Sequence, residues 1–148
     1  MAGEHALMTQ KTFPVNKVCS NTVGIEKGTL LVIAPGGNTV IAASAAGQSV
    51  AGIAYTEKIA SDGNSNIAVL SGPGDELKAV ASGAISKGDA LGTCSGAGFG
   101  NYVKSLSGSI SLSGSVILGY STEDVTAGNT FKYVLNITPA MYTASMVA

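Results

Sequence analysis

The chain has 148 residues, of which 45% are hydrophobic and only 11% charged, with 20 glycines, no tryptophan and a formal net charge of −1. Ordinary apolar content with so little charge excludes a disordered chain, which needs low hydrophobicity and high net charge. It also excludes a long solvated helix, which draws on Glu, Lys and Arg. All eight basic residues are Lys, offset by nine acids, so the sequence shows neither a basic face nor a bidentate Arg contact for phosphate, and nucleic acid is not an expected partner.

In chain order, residues 1–14 read as an N-terminal arm. Met1 to Ser20 lacks the basic start and apolar run expected of a secretion signal. No stretch anywhere is long and apolar enough to span a membrane, so no membrane partner is expected. The only histidine, His5, falls in this arm and reads as part of a flexible segment.

From Val15 onward the local pattern is of one kind. Short runs rich in Val, Ile, Leu, Thr and Tyr are closed by Gly, Asn, Asp or Pro: "TLLVIA" before Pro35-Gly36-Gly37-Asn38, then "TVIAA", "SVAGIAY", "NIAVLS" before Gly72-Pro73-Gly74-Asp75, and later "FKYVLNI" before Pro139. These are strands separated by turns. "DELKAVASGAI" comes nearest to a helical stripe, but its Ser82-Gly83 pair favours a strand. The expected fold is all-β, a compact barrel or sandwich of about ten to twelve short strands with extended N- and C-terminal arms.

The strands repeat. "IEKGTLL" at Ile25 returns as "ISKGDAL" at Ile85, "GNTV" at Gly37 as "GNYV" at Gly100, "VAGIAYTE" at Val50 as "ILGYSTE" at Ile117, and "GNSNIAVL" at Gly63 as "GNTFKYVL" at Gly128. Four anchors in one order indicate an internal duplication, with halves at about residues 15–72 and 76–138 of a single domain spanning 15–138. The extra residues of the second half lie in "KSLSGSISLSGSVIL", whose alternation of apolar residues with Ser and Gly is that of a strand pair with one apolar face. In each "IxKGxxL", Ile25 and Ile85 should point inward, Gly28 and Gly88 should take the positive φ of a tight turn, and Leu31 and Leu91 should re-enter the core. The motif reads as a structural corner rather than an anion site built on Lys27 and Lys87.

Chemistry is sparse. A single His closes the Ser-His-Asp and Cys-His routes, and Cys19 and Cys94 lie far apart with no CxxC, short of the four ligands of a zinc site. The cysteines read as small buried or half-buried thiols of a reducing compartment, with a structural disulfide as the alternative. The carboxylate pairs Asp75-Glu76 and Glu123-Asp124 read as solvated turn residues. "SGAGFGN" lacks the spacing and following helix of a phosphate loop. Asn136-Ile137-Thr138 fits a glycosylation sequon by chance. No catalytic residue, metal or cofactor is expected. What remains is the apolar content of the two ends: Met8, Lys11 and Phe13 in the arm, and Met141, Tyr142 and Met146 in the tail at residues 139–148, are the candidate contacts to a neighbouring molecule.

With this register laid out, "VAGIAYTE", "AVASGAISKGDALGT" followed by a Gly-rich turn and "NYVKS", and "VILGYSTED" with "GNTFKYVLNI" resemble the small Gly/Ala-rich phage head proteins that decorate or cement capsids. The resemblance spans about Val15 to Ile137. It implies a non-enzymatic homo-oligomer, with a trimer favoured, made in the host cytoplasm. Its partner would be the major capsid protein, and it would bind the outer surface of the assembled head at capsomer junctions and stabilise it. A carbohydrate- or surface-binding β module is the alternative. The absence of Trp, with only five Tyr, argues against the aromatic platforms that such modules use.

Overall fold

The computed structural model describes residues 3–95, 100–106 and 116–139. Eleven strands run in chain order: β1 Ala6–Thr9, β2 Val15–Val18, β3 Leu30–Ile33, β4 Val40–Ala42, β5 Val50–Ala54, β6 Asn66–Leu70, β7 Glu76–Val80, β8 Ala90–Thr93, β9 Val103–Ser105, β10 Val116–Ser121 and β11 Thr130–Pro139. No helix occurs among the described residues. The strands form two antiparallel sheets, a six-stranded one in the order β1-β7-β11-β10-β8-β9 and a five-stranded one in the order β2-β6-β5-β3-β4. Neither sheet closes into a barrel through a continuous ladder. Of the two architectures expected, the molecule takes the sandwich.

The strands form where polar and apolar residues alternate. On β11, Phe131, Tyr133 and Leu135 are buried while Lys132 and Asn136 are exposed, and on β7, Leu77 and Ala79 are buried between half-buried neighbours. A period of two puts one set of side chains on the inner face. The main core lies between the sheets and joins Leu30, Val32, Ile53 and Leu70 of one to Leu77, Leu91, Phe131 and Leu135 of the other. A second cluster, with Leu31, Val40, Ile67, Val69 and Cys19, fills the opposite side of the five-stranded sheet. β3 is therefore buried on both faces, which explains why "LLV" runs apolar without alternation. Each fully buried Leu or Phe contributes about 1.5–3 kcal/mol relative to exposure.

Leaving β1 aside, the two sheets have one strand order, with β2, β3, β4, β5 and β6 standing where β7, β8, β9, β10 and β11 stand. The "IxKGxxL" corners match bond for bond. Ile25 exchanges backbone hydrogen bonds with Lys58, as Ile85 does with Val125. Gly28 donates to the Ala54 carbonyl and Gly88 to that of Ser121, each at 2.8 Å. Gly28 and Gly88 have φ of 88° and 89°, in the region only glycine enters freely. Ile25, Leu31, Ile85 and Leu91 are buried.

Residues 1–14, read from the sequence as an extended arm, supply a strand of the fold. β1 pairs with β7 in the register Ala6↔Lys78 and Leu7↔Leu77 and forms the outer strand of the six-stranded sheet. His5 is correspondingly buried rather than flexible.

Candidate interaction site

Leu7, Met8, Phe13, Val15 and Val18, five of the ten exposed large apolar side chains among the described residues, lie where the chain passes from one sheet to the other. β1 and β2 follow each other in sequence, yet each is a terminal strand of a different sheet, and all eight of their residues are exposed. Met8 lies on β1, 45% exposed, and Phe13 in the connection is 91% exposed. Val15 and Val18 on β2 are about half exposed. A terminal strand presents unpaired backbone groups, and apolar side chains beside them make it a template for another chain. Lys11 and Lys17 are exposed along the same ribbon.

Two buried polar groups hold this ribbon in place, and neither had a recognisable sequence signal. The first is Asp75, fully buried at the junction between the halves. Its carboxylate accepts the backbone N–H groups of Lys11 and Thr12, at 2.5 and 2.9 Å on Oδ1, and the Thr12 hydroxyl on Oδ2. The reading of Asp75 as a solvated turn residue is thereby corrected: it faces inward and anchors the β1–β2 connection. The other carboxylate pair also binds backbone. Glu123 accepts from the Lys132 N–H and Asp124 from the Lys87 N–H, at 2.8 Å each.

The second is His5. Its Nε2 lies 2.8 Å from the Asn101 carbonyl and its Nδ1 2.6 Å from the Tyr133 hydroxyl. The His5 backbone N–H donates to the Gly28 carbonyl. Asn101 extends the network, its Oδ1 accepting the Leu30 N–H at 2.9 Å. Burial pushes the His5 imidazole down to about 4, and the bond to the Asn101 carbonyl opposes that shift. The only imidazole is therefore neutral and occupied at both nitrogens, the arrangement of a structural histidine. Burial likewise pushes the Tyr133 phenol well up.

Elsewhere, Lys58 is buried, with Nζ donating to the carbonyls of Asn21 and Ile59 and to Asp62 Oδ1 at 2.6 Å. The hydrogen bond from Lys58, ahead of the one from the Asn64 N–H, holds the Asp62 carboxyl below the usual range. Cys19 is buried and Cys94 half-buried, both as free thiols, and burial pushes the Cys19 thiol up. No group of three or more His, Cys, Asp or Glu among the described residues is placed to hold a metal ion. Beside β2 runs a groove of about 460 Å³ lined by Lys17, Val18, Ile33, Val40, Ala51 and Ile137, among others.

Of the candidate contacts, the structure brings Lys11 and Phe13 into the connection anchored by Asp75 and sets Met8 on the adjacent strand. Met141, Tyr142 and Met146 lie outside the described residues, as do residues 107–115 of the Ser/Gly insert.

No protein family and no curated protein matches the chain. Among solved structures it is similar to the head fiber gp8.5 N base of bacteriophage phi29, with a TM-score of 0.52 and 14% identity over 83% of this chain and 94% of that one. At that identity the likeness is one of fold: this chain shares its strand architecture with nearly the whole of that module.

Proposed function

We propose that the chain is a non-enzymatic structural protein of a phage head that binds the outer surface of the assembled shell at capsomer junctions and stabilises it. One observation carries this reading: the fold is shared with 94% of a module that belongs to a phage head fiber. The polar side chains support it, because His5, Asp75, Asn101 and Lys58 are committed to backbone groups and neighbouring side chains within the fold. Exposed terminal strands offer a way to bind the shell by adding to its sheets. A trimer would present three such edges at once, and weak contacts on one oligomer act together through effective concentration. Binding only to the assembled lattice stabilises that lattice by mass action.

The test is co-sedimentation with empty heads assembled from the major capsid protein encoded with it, together with heat denaturation of those heads. The reading predicts a saturable bound fraction and a rise in the melting temperature of the shell. Protein that remains in the supernatant at all salt concentrations would exclude it.

A further inference from the structure

The two halves match strand for strand, but their outer edges are finished differently. In the second half, β1 covers the outer edge of β7. Just past β7, a parallel bridge between Ala81 and Val103 ties it to β9, with the Ser82 N–H donating to the Val103 carbonyl at 2.8 Å. In the first half, β2 stands where β7 stands and β4 where β9 stands, yet β2 ends its sheet. Cys19 and Val40, the counterparts of Ala81 and Val103, share a core cluster but form no bridge among the described residues. The seam that is stitched in one half is open in the other.

The open seam has the features of a strand acceptor. The Cys19 N–H donates to the Ser65 carbonyl at 2.9 Å, on the β6 side, so strand alternation turns the backbone groups of Asn16 and Val18 outward. The side chains of Val18 and Ile33, 52% and 45% exposed, form apolar ground along the groove of about 460 Å³. Among the described residues on its lining, Lys17 is the charged one. β1 shows the kind of occupant such an edge takes: a short extended segment, antiparallel, with Leu7 directly opposite Leu77.

We propose that the outer edge of β2 accepts an extended strand from a partner protein. The strand is about five residues long, antiparallel to β2, with apolar side chains over Val18 on one face and a carboxylate facing Lys17 on the other. The site is defined by its own geometry and stands whether or not the partner is a capsid subunit.

The experiment titrates the isotope-labelled full chain with a synthetic peptide, Thr-Val-Glu-Val-Thr-Val, and with its Lys-for-Glu counterpart, followed by NMR. The proposal expects saturable shifts at residues 16–18, Ile33 and Val40, and slower amide exchange at Asn16 and Val18. It expects the Lys peptide to bind about threefold more weakly, the size of an exposed ion pair, with Lys17→Glu reversing the preference. Asn16→Pro removes an outward N–H at an edge position that tolerates proline, so it should keep the fold and abolish the shifts. Shifts that fail to appear at millimolar peptide, or that appear equally at the β4 and β9 edges, overturn the proposal. Binding seen only after truncation at Pro139 also overturns it, because the edge would then belong to the chain's own C-terminal residues.

Discussion

The hydroxyl of Tyr133 lies 2.6 Å from Nδ1 of His5, joining the start of the chain to its last strand across 128 positions. The carbonyl of Asn101 only accepts, so Nε2 of His5 carries the ring proton and donates to it, and the Tyr133 O–H donates to Nδ1. The ring is held as one neutral tautomer, keyed into both halves. β1 therefore lies against β7 as a fixed strand, with the exposed Met8 presented from it.

This relationship makes stability depend on pH. The imidazole falls from 6.5 to about 4 on folding, so between those values the unfolded chain binds more protons than the folded one. Stability from this group is complete above about pH 6.5, is lost as pH falls, and reaches a loss of about 2 kcal/mol by pH 5. Urea denaturation at pH 7 and pH 5 measures it. In His5→Gln the difference between the two pH values should shrink by most of that amount.

Gly52 and Gly119 admit no side chain. A Cβ on Gly52 would stand 2.3 Å from the Leu70 carbonyl oxygen, and one on Gly119 would stand 2.1 Å from that of Val134. Backbone on the neighbouring strand cannot yield as a flexible side chain does. Gly52→Ala and Gly119→Ala should each cost at least about 3 kcal/mol or prevent folding. Gly37→Ala, in an open hairpin at positive φ, should cost about 1 kcal/mol. Denaturant midpoints of the three variants check the order.

Removing the Asp75 carboxylate leaves the N–H groups of Lys11 and Thr12 without their acceptor. Asp75→Ala should destabilise by about 3 kcal/mol and speed hydrogen exchange at those two amides more than elsewhere. Asp75→Asn keeps an oxygen acceptor and should lose about half as much. Equal exchange rates in the variant and the parent would show that Asp75 is not what holds the connection.

The ammonium of Lys58 is buried and depends on Asp62 for its only charged partner among the described residues. Asp62→Ala leaves that charge with two carbonyls and should lower the melting temperature. In the double variant Lys58→Met with Asp62→Ala, much of the loss should return, because no charge is left buried. Thermal melts of the single and double variants separate these outcomes.

Much of the architecture was legible in the chain because it is written locally. The alternation in "FKYVLNI" and "ELKAV" marks strands, and the paired "IxKGxxL" corners mark the same turn made twice, since each depends on residues within a few positions. His5 and Asp75 were misread for the opposite reason. A lone histidine near the start and an acid after Pro73-Gly74 carry no local sign of burial, and their partners at Tyr133, Asn101, Lys11 and Thr12 lie 63 or more positions away.

By itself the sequence determined an all-β chain of two matching halves, because period-two patterning, turn glycines and repeated corners are properties of short segments. Only the tertiary structure decided that β1 covers one outer edge while β2 leaves its counterpart open. That choice depends on where the first eighteen residues are pinned by His5 and Asp75, and those bonds exist only once the two sheets have come together.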